Sequence, residues 1–160
     1  VARALIVGCG CRGRELGEKL LAEGWAVRGT SRREEGLAEI EGCGIEPVLA
    51  DPDRPATILE LVGDVAVLVL LLGGAEGSEE ELAAVHGPRL ERLMEHLVET
   101  PVRGVVYEGT EDGGEVVRAA GRTWRIPARV ISPSLSLTPY VEVKDRLAEE
   151  VKAVLAGEPK

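Results

Sequence analysis

Short apolar runs alternate with amphipathic stretches along the whole chain. Arg3–Gly8 (RALIVG) reads as a first strand, and Leu16, Leu20 and Leu21 recur at helical spacing in Arg14–Gly24, with Gly24 as the stop. A second strand is predicted over Trp25–Thr30, a shorter helix over Arg33–Gly44 and a third strand over Ile45–Ala50. Pro55 suits the first turn of a helix running to Gly63. Asp64–Leu72 is the most apolar stretch, and its unbroken Val and Leu imply burial on both faces, as in the middle of a parallel sheet. Ser78–Glu99 has helical periodicity with a break expected at Gly87–Pro88. Strands are predicted at Val102–Thr110 and Ile126–Ser132, with a helix over Gly114–Trp124 between them. The last helix runs from Thr138, its cap, through Pro139 in its first turn to Gly157 at its end.

Six strands alternating with helices predict an α/β fold. The expected form is a doubly wound, mostly parallel six-stranded sheet with helices on both faces and strand order 3-2-1-4-5-6. That order reverses between strands one and four, and their carboxyl ends would frame a ligand crevice. A length of 160 residues with 44% hydrophobic residues suits one domain, residues 1–160, with its own core.

Composition narrows the partners. A net charge of −9 argues against non-specific binding to nucleic acid, although a local basic patch could hold a small phosphate ligand. No apolar run is long enough to cross a bilayer, and no secretion-signal pattern is seen. The cysteines are odd in number, and Cys9 and Cys11 share one tight turn, so a reducing cytoplasm is expected rather than a disulfide framework. Cys-x-Cys with His86 and His96 remote in sequence gives no metal site. Asn, Gln and Phe are absent while Glu and Arg abound. That pattern fits a thermophilic source or a designed stable sequence, and coding bias produces it too.

The first strand runs into Gly8-x-Gly10-x-x-Gly13, which opens the first helix. Gly8 would allow the tight turn, Gly10 the close approach of a pyrophosphate, and Gly13 the packing of helix on sheet. The free N–H groups and positive end of the helix would face the phosphates, with Cys11, Arg12 and Gly13 of the turn among the residues expected to hold the ligand. Arg12 could approach a phosphate, whereas Arg14 reads as solvated. Cys9 and Cys11 read as small side chains fitting the turn, with redox sensitivity the alternative. The second strand ends in Gly-Thr-Ser-Arg-Arg, with no carboxylate to accept from ribose hydroxyls. Arg32 and Arg33, helped by Thr30 and Ser31, suit a 2′-phosphate. NADP(H) is therefore expected over NAD(H), which stays open, as does the reading of both arginines as solvated helix-start residues.

Leu5–Arg33 resembles the opening of the atypical short-chain dehydrogenase/reductase-like proteins of the GCGxxG type, NAD(P)-binding Rossmann domains related to nucleotide-sugar epimerases. The resemblance implies that Asp51, in Leu-Ala-Asp-Pro-Asp, sits near the adenine, and that Leu72 and Gly73 line the cofactor crevice. It implies a Ser or Thr at the end of strand five, where Thr110 is the nearest match. It also implies a catalytic Tyr-x-x-x-Lys pair, whose lysine lowers the tyrosine pKa. The chain has that spacing at Tyr140 and Lys144, but after strand six rather than between strands five and six. Tyr140, Val143, Leu147, Val151 and Val154 also form one apolar stripe, which reads as packing.

Three functions follow from these residues. The first is an NADP(H)-binding protein whose oxidoreductase activity is weak, lost or partner-dependent; nicotinamide would lie over strands four and five, with Glu108 and Thr110 the nearest polar groups. Glu108 reads as a proton-transfer group or, more simply, a solvated strand-end acid. The second is a nucleotide-sensing regulatory module, since the first half also resembles the regulatory nucleotide-binding domains of potassium transport. The third is a degenerate fold used for protein contacts, with the helices around His86–Glu99 offered to a homodimer.

Overall fold

The computed structural model describes residues 2–74, 77–131 and 140–156, and of 140–144 the backbone only. Six strands, β1 (Arg3–Val7), β2 (Ala26–Ser31), β3 (Glu46–Leu49), β4 (Val67–Leu71), β5 (Gly104–Glu108) and β6 (Ala128–Ile131), form one sheet ordered β3-β2-β1-β4-β5-β6. Every pairing is parallel. The helices are α1 (Cys11–Ala22), α2 (Leu37–Gly42), α3 (Pro55–Leu59), α4 (Glu79–Val85), α5 (Pro88–His96), α6 (Glu111–Trp124) and α7 (Tyr140–Leu155). The expected doubly wound architecture and strand order are those found.

Successive side chains of a strand point to opposite faces, so β1, β4 and β5 each feed two cores. Leu5, Val7, Leu68, Leu70, Val105 and Tyr107 join Ile58, Leu90, Leu93, Met94 and Val117 on one face. Ala4, Ile6, Val67, Val69, Leu71 and Val106 join Leu16, Leu20, Leu147 and Val151 on the other. All five residues of β4 are buried, which is what its unalternating Val and Leu require. Each such side chain contributes about 1.5–3 kcal/mol on leaving water. The apolar stripe of α5 is likewise used within the chain: Leu90, Leu93, Met94 and nearby Leu97 are all in the core.

Element ends depart from expectation where charge or a turn intervenes. The first helix begins at Cys11 rather than Arg14, so the last part of the glycine turn is already helical. The fourth strand begins at Val67 rather than Asp64, because Asp64 is held at the surface by Arg28 at 2.9 Å and Arg3 at 3.1 Å. The helix expected to reach Gly63 ends at Leu59. The expected break at Gly87 separates α4 from α5. Thr138, Pro139 and Gly157, assigned to the ends of the last helix, lie outside the described residues.

Candidate functional site

The three glycines of the turn do different work. Gly8 has φ +79°, and a Cβ there would collide with the carbonyl oxygen of Leu71 on β4. Gly13 lies against Ile6 and Cys9, at 3.2 and 3.4 Å from an added Cβ, so α1 sits close on the sheet. Gly10 is different: its φ is −82°, and a Cβ there meets nothing within 4 Å. The protein's own packing therefore does not require this position to be bare. Gly10 is also the N-cap of α1, which has no side-chain cap and no acidic residue in its first turn. By contrast, α4 is capped by Ser78 and followed by Glu79–Glu81, and α6 is capped by Thr110 and followed by Glu111 and Asp112. An uncapped start presents backbone N–H donors and a positive partial charge.

β2 supports the turn from below. The Thr30 carbonyl accepts from the Cys9 N–H at 3.1 Å, and its hydroxyl stands 3.4 Å from the Gly8 nitrogen. Beyond it the Ser31 hydroxyl donates to the Arg33 carbonyl at 2.7 Å and accepts from the Arg33 N–H at 3.1 Å, folding the strand end into a tight loop. A cleft of about 480 Å³ opens over these elements. Gly8, Gly10, Cys11, Arg12, Gly13, Thr30, Ser31, Arg32, Arg33 and Leu72, all singled out from the sequence, line it together. Arg14, Gly36 and Pro52 line it as well. Arg14 therefore departs from the solvated reading: it is partly buried and pairs with Glu39 of α2 at 3.2 Å. Its place one turn after Gly10 was the available signal. The described lining holds four arginines and no carboxylate, in a chain of net charge −9.

Asp51 and Gly73 are not part of that lining, although their neighbours Ala50, Pro52, Leu72 and Gly74 are. The Asp51 carboxylate accepts from the Asp53 N–H at 2.9 Å and shapes its own turn. Gly73 instead donates its N–H to Glu108 at 2.9 Å, and a Cβ on it would strike the Glu108 carboxylate.

Glu108 is not a solvated strand-end acid. It is 3% exposed. Its second oxygen takes Arg12 Nη1 at 2.5 Å, an ion pair that joins the first turn of α1 to the end of β5. Arg12 thus both lines the cleft and holds a buried carboxylate. Thr110 spends its hydroxyl capping α6, accepting from the Gly113 N–H at 3.0 Å. Beside it lies a buried pair invisible in the sequence: His86 Nδ1 meets the Tyr107 hydroxyl at 2.6 Å, and that hydroxyl accepts the Thr110 N–H at 3.0 Å. Burial pushes the Tyr107 phenol up and His86 down, the latter opposed by the nearby Glu108 charge.

Cys9 is buried against Gly13 and Gly29, and burial pushes its thiol up to about 12, so it packs rather than reacts. Cys11 is exposed at the cleft, and no disulfide joins Cys9, Cys11 and Cys43. Tyr140 begins α7, after β6, and α6 carries no Tyr or Lys. The side chains of Tyr140 and Lys144 lie outside the described residues. Among the described residues no helix is long and apolar enough to cross a membrane, and no His, Cys, Asp and Glu group could hold a metal.

No protein-family model and no curated protein sequence matches the chain. Solved structures do. BdcA (YjgI) of E. coli superposes with TM-score 0.70 at 15% identity, over 98% of this chain and 93% of that protein. The triphenylmethane reductase of Citrobacter sp., crystallised with NADP(H), gives 0.63 at 18% identity, over 81% of this chain and 48% of the reductase. UDP-glucuronic acid 4-epimerase of Bacillus cereus, in a complex that includes NAD, gives 0.65 at 12% identity, over 81% and 55%. The chain has the Rossmann fold of these three proteins. It spans about half the length of the triphenylmethane reductase and the epimerase. In Rossmann terms, the cleft lies at the switch point between β1 and β4, where dinucleotides bind in this architecture.

Proposed function

We propose that this chain binds NADP(H) as a protein of the short-chain dehydrogenase/reductase type, with oxidoreductase activity that is weak, lost or dependent on a partner. The single observation that carries the reading is the end of β2. Thr30, Ser31, Arg32 and Arg33 border the cleft there with no carboxylate, beside the uncapped start of α1. A diphosphate would take the N–H donors of that helix start, and Gly10 would let it approach. A 2′-phosphate would be drawn to the guanidinium forks, and no carboxylate is among the described residues of the lining. Triphenylmethane reductase, which shares the fold, was crystallised with NADP(H), and that supports the choice of cofactor. Three thiols without a disulfide suit a reducing cytoplasm.

The test is thermal melting with NADP⁺, NADPH, NAD⁺ and no ligand. A hundredfold excess over the dissociation constant stabilises by about 2.7 kcal/mol. For a domain of this size that is a Tm rise of roughly 5–11 °C. NADP(H) should raise Tm more than NAD⁺ does, and Arg32→Asp should abolish the difference. Equal shifts for NADP⁺ and NAD⁺ in the parent chain would refute the 2′-phosphate assignment.

A non-enzymatic nucleotide sensor is the second reading. What favours it is that both polar candidates at the β5 end are engaged, Glu108 in the ion pair and Thr110 in the helix cap. A ligand-driven change in assembly without turnover would choose this alternative.

A further inference from the structure

Among the described residues, the lining of the cleft ends at β4 and the segment just after it. Its described lining comes from the β1–α1 turn, the ends of β2, β3 and β4, and the segments just beyond them; it includes no residue of β5 or β6. Arg12 stands at that boundary. Its guanidinium crosses the end of β4 to reach Glu108 at 2.5 Å. Glu108 is fixed from the other side: Gly73 donates to its free oxygen at 2.9 Å, and its carbonyl accepts the Leu72 N–H at 2.8 Å. The carboxylate cannot swing away without losing a buried hydrogen bond, and separating the pair leaves a buried charge with little compensation. The bar is therefore held firmly at its Glu108 end.

A dinucleotide seated with its diphosphate at α1 and one ribose at β2 must extend its second half across β1 and β4, toward β5. That is the direction the bar crosses. We propose that the Arg12–Glu108 ion pair is a gate that sets how much of the dinucleotide the cleft accepts. Closed, it takes the 2′-phosphoadenosine diphosphate portion and keeps the nicotinamide ring from the β5 end; opened, it admits the ring. Arg12 and Glu108 are then specificity-determining residues that select between a nucleotide fragment and the intact cofactor. The proposal rests on the reading of the cleft as an NADP(H) site.

The experiment compares calorimetric dissociation constants for NADPH and for ADP-ribose 2′-phosphate, which lacks only the dihydronicotinamide ring. Both ligands carry the same phosphates, so a charge removed at position 12 or 108 acts on both alike and cancels in their ratio. In the parent chain the two should bind within about twofold of each other. In Glu108→Gln, NADPH should gain about tenfold or more over the fragment, a difference of about 1.4 kcal/mol. Arg12→Ala removes the bar from its less buried end and should move the ratio the same way; it keeps the test available if Glu108→Gln does not fold. The proposal is overturned if NADPH already exceeds the fragment by tenfold in the parent chain, or if the ratio stays near one in the folded variants. A parent chain that binds neither ligand is a separate result, which removes the dinucleotide reading and the gate with it.

Discussion

Gly10→Ala separates the ligand's needs from those of the fold. Gly10 has φ −82°, outside the left-handed region that favours glycine, and an added methyl meets no described atom beyond its chain neighbours within 4 Å. Alanine is a poorer N-cap than glycine by up to about 1 kcal/mol. A stiffer unfolded chain returns about 0.4–1 kcal/mol. The ligand-free protein should therefore melt within about 4 °C of the parent. Binding should respond differently. The methyl would stand at the cleft beside the N–H groups of α1, where a diphosphate must approach. Losing one hydrogen bond to a charged group costs about 1.5–3 kcal/mol. That corresponds to a dissociation constant for NADP⁺ roughly 10–150 times weaker. Titration calorimetry of both proteins, with melting curves taken without ligand, reads the two effects separately. Affinity within about twofold of the parent would mean that the glycine turn does not hold the diphosphate. A large loss of stability would mean instead that Gly10 is a packing position.

Gly8→Ala should do the opposite and damage the fold. A left-handed φ costs a non-glycine residue about 1–2 kcal/mol, and the Leu71 carbonyl must also give way. A fall in Tm of at least roughly 2–8 °C is expected, and an unchanged melting curve would contradict the geometry. In the native protein a thiol reagent at mildly alkaline pH should label exposed Cys11 and spare Cys9, whose thiol titrates near 12; rapid native labelling of Cys9, read by peptide mass spectrometry, would refute its packing role. His86 should give stability a pH dependence. Its folded pKa lies below that of an unfolded histidine, so the unfolded chain binds the proton first as pH falls below about 6.5. The contribution is complete above that pH and is lost toward the folded pKa. Tm should be flat near pH 7–8 and fall as the pH drops below about 6.5, and His86→Gln should flatten that slope; an unchanged slope would exclude His86 as its source.

The architecture was legible because two periodicities carry it. The unbroken Val and Leu of β4 have no polar face, so only a strand covered on both sides accommodates them, and the alternating cores of β1, β4 and β5 follow from that. Element ends were less legible because they depend on partners from elsewhere in the chain. Asp64 adjoins an apolar run and looks like its first residue. Arg28 on β2 and Arg3 on β1 hold it outside the strand, and no local pattern announces them. The start of α1 is hidden for a related reason: glycines lower helix propensity, yet Gly13 is helical where it packs against Ile6 and Cys9.

The same division runs through the site. Residues at the ends of β1 and β2 could be read because each lies next to its own strand, and strand order alone brings Gly10 and Arg32 to one cleft. Glu108 could not. Nothing near it in sequence neutralises its charge, so exposure to solvent was the natural reading, and its real partner is Arg12, on the far side of β4. That pairing also changes what the basic cleft means. Arg12 is tied to Glu108, a buried carboxylate that does not line the cleft, so its guanidinium group is fixed in direction before any anion arrives. Ordering a free arginine costs a ligand up to about 2 kcal/mol, and an arginine already held spares most of that. An arginine held toward β5, however, also blocks the way to β5. In the proposed reading, the contact that would prepare this cleft for phosphates is thus the one that would limit how far along the sheet a cofactor lies.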